Sequence, residues 1–582
     1  MRSLTKAALA ATTFTALVVA CGGSDGSATV GAGDDAGAQS DAFVPDGVAS
    51  DGPAGDGSQI DAARDGAADA ATTCPTYQKL CNGRCIPVVA DPANCGACGV
   101  RCSGATACSA GACVNECPIP LAACNNACVD TATDNDNCGG CGNKCGPTQG
   151  CSAGRCVDKI PLGPPPSACN GGGPPIVING QCSGQTAQTT FRWALCSCKD
   201  VTMSSRLVTD AYDSTQGPYV PGGLGGGVGL NGAFDATSDN DIYGALWSSA
   251  TGGVTTSSVN HVYEELHVGG SITAGGTFAV GYEGFVRGDV SAPGSLAVTR
   301  ALHVSPSSTI RGNVTYASLV NNVPVVVPPP CDCAPGQILP IGSIVASHRT
   351  NNDNAAIGLN ANALATPLGH AVRLELPCGY YYLSKIDNGQ DPVTIVAKGH
   401  VALFIDGDAT AGPLTFSLDP TSTFDVLLTG VIKPWPGSDF NYGSPSYPAL
   451  MRIYSGGTDP TELAAGNFAG EFYAARSPIV AQSLLTAYGA MYAGDFRSSA
   501  EVDIHYDRAV LNAGSTCPPT PPPPGDAGAG GDGGRADGGT GCNSCQDCGN
   551  QACNGGTCGA CSSSADCCAP LICAGGTCVI LR

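Results

Sequence analysis

Cysteine is the residue in this chain with the most chemistry to offer, and 35 of the 582 residues are cysteine. Cys74, Cys81, Cys85, Cys95, Cys98, Cys102, Cys108 and Cys113 recur at a constant offset as Cys117, Cys124, Cys128, Cys138, Cys141, Cys145, Cys151 and Cys156. The cores read alike, Asp91-Pro-Ala-Asn-Cys-Gly-Ala-Cys98 against Asp134-Asn-Asp-Asn-Cys-Gly-Gly-Cys141. A fixed period with fixed spacing marks a repeated folding unit. Eight more cysteines are spread from Cys169 to Cys517. Ten crowd the C-terminus: Cys542, Cys545, Cys548, Cys553, Cys558, Cys561, Cys567, Cys568, Cys573 and Cys578. Every block is even and Cys21 alone is left over. An exported disulfide-bonded chain with one specially used cysteine would show this arrangement. Zinc is the rival chemistry, because Cys95-x₂-Cys98 has ligand spacing; export favours disulfides. Eight cysteines admit 105 pairings, so connectivity is not readable.

The other candidates are carboxylates and one histidine. Asp406 and Asp408 flank Gly407 and could share a face as an acid/base pair, although Asp-Gly-Asp also reads as a turn. Val502-Asp-Ile504-His-Tyr506-Asp alternates strictly. It therefore sets Asp503, His505 and Asp507 on one strand face, either to hold a metal or to form a solvated outer face on the last coil. Arg287-Gly-Asp289 spells an adhesion tripeptide but sits within a repeat step. The glycine run from Gly222 to Gly232 lacks the Gly-Lys-Ser/Thr of a phosphate loop. No stretch supplies the spaced ligands of a calcium loop, so no cofactor is expected. Catalysis is expected nowhere. The net charge is −22, and no basic cluster exists to engage phosphates, so nucleic acid is not an expected partner.

High Gly (82) and Pro (42), few charged residues (13%) and only 3 Trp favour β-structure joined by turns. Arg2 and Lys6 precede the uncharged Ala7–Ala20, which is too short to span a bilayer as a helix. The sequence Leu17-Val-Val-Ala20-Cys21 resembles the lipobox of bacterial lipoproteins. That resemblance makes residues 1–20 a signal peptide, Cys21 the lipid attachment site and the outer membrane the destination, since Gly22 rather than Asp follows. Residues 21–73 are Gly, Ala, Ser and Asp, with Asp41, Asp46, Asp51, Asp56 and Asp61 evenly spaced. Such a segment has too little apolar surface to offset its ordering entropy and reads as an acidic tether.

The two repeats, 74–113 and 117–156, hold one aromatic, Tyr77, and no His. So little apolar mass needs cross-links, each contributing about 2–4 kcal/mol. The pattern Cys-x₃-Cys-x₉-Cys-Gly-x-Cys-Gly-x₂-Cys resembles the repeat of plant stigma-specific proteins, a likeness that implies no enzymatic activity. The pair is expected to act as a spacer or presentation module. A Pro-rich linker spans 157–168. From 169 to 517 the chain is β-rich, and short matches recur at steps of roughly 18–19 residues or twice that. Leu266-His-Val268 recurs at Leu302-His-Val304, Gly470-Glu-Phe-Tyr-Ala474 at Gly489-Ala-Met-Tyr-Ala493, and Phe285–Val290 resembles Thr309–Val314.

Such steps are the coil length of a parallel β-helix; an antiparallel β-sandwich is the alternative. Val401–Ile405, Leu414–Leu418 and Phe424–Leu428 are expected as rungs. Two Cys-x-Cys pairs, Cys196/Cys198 and Cys331/Cys333, bracket the first stretch, and a break is expected near 323–331. Gly489-Ala-Met-Tyr-Ala-Gly494 followed by Ile504-His-Tyr-Asp507 resembles the end of a β-helical domain of unknown function on exported bacterial proteins. The Gly-Asp-Val and Gly-Asn-Val steps resemble the polymer-forming bactofilins. A Pro/Gly/Asp linker covers 518–541, and 542–582 resembles a cystine-knot miniprotein. The expected fold class is therefore mainly β, a central parallel β-helix flanked by disulfide-rich modules and disordered linkers. The expected role is a non-catalytic, lipid-anchored surface protein for adhesion, envelope structure or recognition, with glycans or envelope proteins as partners. A polysaccharide-degrading enzyme on the β-helix and a self-assembling structural element are the alternatives.

Overall fold

The computed structural model describes residues 74–517, apart from Gly437, Asp439 and 464–465, together with four short strands near the C-terminus. The expected signal peptide, Cys21, the expected acidic tether and 518–541 linker, and the side chains of the 542–582 cysteines lie outside the described residues. The strands Ala552–Asn554 and Thr557–Gly559, and Leu571–Ala574 and Thr577–Ile580, form two antiparallel hairpins.

Short strands of alternating burial fill the centre. In Val201–Met203, Phe234–Ala236 and Val254–Thr256 the outer two residues are buried and the middle one is exposed. Period-two alternation directs one face inward, and each strand pairs in parallel with the equivalent strand of the next coil. Val228 pairs with Leu246, and Leu246 in turn with Leu266, one coil further on each time. Every pairing in the central sheet is parallel, which makes it a β-solenoid and removes the sandwich alternative. Leu195, Val228, Leu246, Leu266 and Leu302 form one inward column, all fully buried. Asn240 and Asn260 form a polar rung among the apolar ones. The Asn240 amide donates to Asn260 Oδ1 at 2.6 Å, and Asn240 Oδ1 accepts from the Leu207 N–H at 3.0 Å, which satisfies groups that burial would otherwise penalise.

Gly470 pairs with Gly489, and Val401–Ile405 pairs with Phe424–Leu428, as the repeat steps suggest. The likeness of Phe285–Val290 to Thr309–Val314 does not follow the register. Val290 pairs with Ile310 and not with Val314, because the chain counts from corner to corner and the intervening turn differs in length.

The two halves stack in reverse chain order. The segment 372–507 forms the lower coils, and the segment 195–320 continues upward from its last coil. At this seam all three sides of the coil are joined in parallel: Leu195–Ser197 to Met491–Ala493, Val201–Met203 to Phe496–Ser498, and Leu207–Tyr212 to Val502–Asp507. The solenoid is thus one continuous stack.

After the top coil the chain must return to the bottom, and 321–371 is the strap that does so. It passes Trp247, whose indole N–H donates to Pro328 O at 2.9 Å, and then Trp193, which donates to Pro330 O at 3.2 Å. Cys331 and Cys333 then join Cys196 and Cys198 in two adjacent disulfides at the seam. Further down, the Leu339 N–H donates to Tyr473 Oη, and the His348 ring stacks 3.8 Å from that of Phe404. Residues 353–364 close the bottom end: Ser384 N–H donates to Ala361 O, Asp387 N–H to Leu364 O, and Ile357 and Leu364 are fully buried. Residues 323–331 therefore begin a crossover within one solenoid.

Both repeats adopt one disulfide pattern. Cys74–Cys85, Cys81–Cys98, Cys95–Cys108 and Cys102–Cys113 recur as Cys117–Cys128, Cys124–Cys141, Cys138–Cys151 and Cys145–Cys156. The glycine of Cys-Gly-x-Cys is required by a close backbone approach. Gly96 has φ +72°, and a Cβ there would lie 2.2 Å from Gly111 O; Gly139 repeats this against Gly154 O at 2.4 Å.

The expectation of a spacer is corrected, since both modules lie against the lower solenoid. Tyr77 is buried edge-on to Tyr447. Ser109 meets Ser446 at 3.1 Å, and Ser152 meets Thr394 at 2.8 Å. The Arg373 guanidinium donates to Thr133 O and Cys151 O of the second module. Glu375 binds Lys159 and Arg373, each at 2.8 Å; although burial opposes it, these cations hold its carboxyl down to about 2. The physical reason for docking is the poverty of the modules in apolar residues, which leaves a solvent-shielded wall as their best packing surface. The stretch expected as a linker is likewise pinned: Ile160 N–H donates to Arg373 O and Gly163 N–H to Ile357 O.

This architecture fixes an unusual disulfide map. Non-reducing tryptic cleavage after Arg192, Lys199, Arg311, Arg349 and Lys385 should leave the Cys196/Cys198 peptide joined to the Cys331/Cys333 peptide, and the Cys182 peptide joined to that of Cys517. Peptide mapping by mass spectrometry checks this; a Cys196–Cys198 or Cys331–Cys333 loop would contradict the strap.

Candidate functional site at the seam

The sequence candidates at 503–507 sit where the two halves meet, not on an outer last coil. Residues Leu207–Tyr212 cover Val502–Asp507 in parallel, so His505 and Asp507 are buried and only Asp503 remains half-buried. The expectation of a solvated face is thereby overturned. The last solenoid strand in sequence order need not be at the end of the stack.

The three side chains take separate partners. His505 Nδ1 lies 2.8 Å from Asp210 Oδ1, its register partner across the seam. Asp210 Oδ2 accepts from Tyr219 Oη at 2.7 Å and from the Gly222 N–H at 2.8 Å. The Tyr219 ring lies over the His505 imidazole at 4.0 Å, and Tyr488 packs 5.0 Å from the imidazole and 5.7 Å from Tyr219. Burial and then Asp210 push the Tyr219 hydroxyl far above its usual range, so it stays a donor. Asp503 is raised by burial and then by Glu501.

Asp507 faces the first cysteine-rich module. Its Oδ1 accepts from the Ser214 N–H at 2.9 Å and its Oδ2 from Ser214 Oγ at 2.6 Å, and Ser214 Oγ meets Tyr77 Oη at 2.8 Å. Burial pushes Asp507 up to about 6 against the hydrogen bonds from Ser214 and Ala509. Beneath it lies a second charged ladder, in which Asp425 pairs in register with Arg452 and Arg452 with Glu471. Arg452 Nη1 is 3.3 Å from Asp425 and 3.1 Å from Ser183 Oγ. Burial first, with Asp507 adding, pushes the Glu471 carboxyl well above the carboxylate range.

Above the seam the same flank carries Tyr243 stacked on Tyr263 at 4.1 Å, and His261 3.0 Å from Asp241, which also binds Arg206 at 2.8 Å. Beside it is an open depression of about 430 Å³ lined by Tyr212, Asp213, Gln216, Pro218, Val220 and Arg508. The strip combines aromatic rings, carboxylates and a shallow hollow, the elements of a polar recognition surface. Its buried groups are already engaged with one another.

Elsewhere the sequence candidates are structural. Asp406 accepts from Tyr382 Oη at 2.9 Å and from Arg349, while Asp408 accepts from the Val431 N–H and from Lys433 at 2.8 Å. These are ties between stacked turns. Asp289 of Arg-Gly-Asp accepts from the Thr309 N–H of the next coil at 2.8 Å. Gly222–Gly232 carries the chain from the seam into the next coil. Among the described residues the only close trios of metal-ligating type are Cys95, Cys102, Cys113 and Cys138, Cys145, Cys156, all disulfide-bonded, so the zinc alternative finds no free thiolates.

Asp210, Ser214 and Tyr219 lie in no motif that marks them in the sequence. A signal was present: the step from Leu195 to its partner Val228 is nearly twice the following one, from Val228 to Leu246. The excess is an insertion that holds Ser214 and Tyr219.

Residues 334–513 match the model of a domain of unknown function, DUF7305, and residues 58–116 match that of the stigma-specific STIG1-like protein family. The first match takes in the strap beyond Cys333 and the lower coils. No curated protein and no solved structure matches the chain.

The Asp507 network generates a pH signature. The folded carboxyl holds its proton more tightly than the unfolded one, so its share of stability is complete at low pH and is lost as pH rises toward about 6. The shift from the usual 3.8 corresponds to at most about 3 kcal/mol. Asp507→Asn should therefore gain up to that amount, relative to the parent, as pH rises from about 4 to 6. Denaturant unfolding of both proteins across that window checks it; a constant difference would remove Asp507 as the titrating group.

Proposed function

We propose that this is an exported bacterial surface lipoprotein, anchored through Cys21 in the outer membrane, whose rigid solenoid serves non-catalytic recognition or adhesion. The observation that carries this reading is the cross-linking. Twelve disulfides use every cysteine from Cys74 to Cys517, a state that belongs to oxidising compartments. The leftover Cys21 follows a lipobox-like Leu-Val-Val-Ala, and several acyl chains anchor stably because each buried CH₂ contributes about 0.8 kcal/mol. The seam strip, with its stacked tyrosines, carboxylates and neighbouring hollow, supplies a surface suited to hydroxyl-rich ligands such as glycans.

A polysaccharide-cleaving enzyme on the same scaffold is the second reading. It is favoured by the raised Asp503 carboxyl beside the His505–Asp210 pair.

One set of measurements tests both. The parent protein should fractionate with outer membranes and Cys21→Ala should be released; equal release of both would sink the anchor. In a glycan and whole-cell binding screen, Tyr243→Ala with Tyr263→Ala should lose binding while the ligand is recovered intact. Ligand turnover that Asp503→Asn abolishes would replace the first reading with the second.

A further inference from the structure

The two ends of the solenoid differ. The bottom is closed by 353–364, whose carbonyls accept from the lowest coil and whose Ile357 and Leu364 are fully buried. At the top, strand Ile310–Val320 pairs with Val290–Val304 on one side and, among the described residues, with no strand on the other. Most of its residues are exposed. The core columns simply stop there. Val290 is succeeded by Ile310, Leu296 by Val314, Val298 by Tyr316 and Leu302 by Leu319. The buried residues below are 0–3% exposed, whereas Tyr316 and Leu319 are 38% and 37% exposed. Val323 and Val326, just beyond, are 60% and 81% exposed.

A free sheet edge of this length is ordinarily blunted by charge, proline or a cover. This one, Ile310-Arg-Gly-Asn-Val-Thr-Tyr-Ala-Ser-Leu-Val320, has one charge and no proline. Repeat stacks likewise need a polar terminal cap to stay dispersed.

We propose that this edge is the docking surface for a second copy of the chain, and that two molecules join top to top about a two-fold axis at Thr315. Two observations select that occupant, the self-matching sequence of the edge and the closed lower end. An axis lying across the end reverses the winding of the second copy, so facing strands run antiparallel. Of the three sides of the top coil, 310–312, 314–316 and 318–320, the middle one then meets itself, and the first meets the partner's third. The sequence suits this arrangement. Val314 faces Tyr316 of the partner subunit, Ile310 faces Val320 of the partner subunit, and Arg311 faces Leu319 of the partner subunit, so no like charges meet. Lastly, the closed bottom blocks head-to-tail stacking. The assembly is therefore a closed isologous dimer and not a filament. This holds whatever the seam strip binds.

The test uses the full-length exported chain with Cys21→Ala, followed by sedimentation and mass photometry. The chain should have twice the monomer mass. Adding Thr315→Cys should yield a disulfide-linked dimer on non-reducing gels. Val314→Lys with Tyr316→Lys sets like charges opposite each other and should halve the mass; Val314→Lys with Tyr316→Glu sets opposite charges there and should restore the dimer. The second variant carries as much polar change as the first, so damage to the coil cannot mimic the result. A monomeric parent, a dimer indifferent to the lysine pair, or filaments would each overturn the proposal.

Discussion

Parallel stacking leaves two unsatisfied edges on every coil, and the whole molecule follows from how the coil at 195–212 and the coil at 485–507 satisfy each other. Had the halves stacked in chain order, the connection between them would be a short turn. Stacked in reverse, they force 321–371 to travel the length of the solenoid. A strap of that kind must be held down, because a chain of such length gains little from a few surface contacts against its ordering entropy. The aromatic column Trp247, His267, Phe285 and His303, stacked at 4.0–4.7 Å, supplies a flat wall at its start. The paired disulfides Cys196–Cys331 and Cys198–Cys333 pin it where it crosses the seam. Each spans a sequence separation of 135, and long loops are where a cross-link removes most unfolded-chain entropy. Cys182–Cys517, with a sequence separation of 335, fastens the other flank at the same height.

The buried charges cluster at this level for a related reason. Asp425, Arg452, Glu471 and Asp507 face the flank where the first module, Ser183 and the 3₁₀ segment Arg508–Thr516 all converge. A buried ion pair contributes little net stability, but breaking one leaves an uncompensated charge, so such pairs suit the selection of one arrangement over others. Here the charges discriminate among coverings. Ser183 is placed by Arg452, and the first module reaches Asp507 through Tyr77 and Ser214. An apolar flank would accept either cysteine-rich module equally, and Tyr77 has no counterpart in the second one. Its equivalent position there is Pro120.

The coil architecture was legible in the sequence because its causes are local. Period-two burial and a recurring step of one coil lie on the surface of the string, and Gly470 with Gly489 gives the register outright. The equal parity of the cysteine blocks pointed to disulfides for the same reason. The reversed order was not legible, since nothing in Leu207–Tyr212 or Val502–Asp507 says which strand comes to lie beside it; both are short strands that would fit many neighbours. That choice depends on three sides matching at once, a property of the assembled coil. The seam residues were hidden with it. His505 was visible as a candidate, but its partner Asp210 lies in the other half of the chain. The docking of the modules was obscured by composition, because Ser109 and Ser152 make their contacts through hydroxyls that read as solvent-facing.

The extent of the DUF7305 match sharpens how the solenoid is put together. It begins at 334 and ends at 513, so it contains the closed bottom, the lower coils and most of the 3₁₀ segment, and it excludes 195–320. That matched unit has one sealed end and one end whose last coil, 485–507, offers three bare strand edges. Stacked coils interact chiefly with their nearest neighbours. A second set of coils can therefore be laid on that end without altering the first, provided its lowest coil matches all three sides. The segment 195–320 meets that condition and extends the stack. In doing so it moves the unsatisfied edge rather than abolishing it, from Val502–Asp507, where Tyr77 and Tyr219 now close over the chemistry, to Ile310–Val320. An extension of this kind carries one obligation, that something must cover its final coil. With a single charge, Arg311, and no proline, that coil suits a covering protein edge better than it suits water.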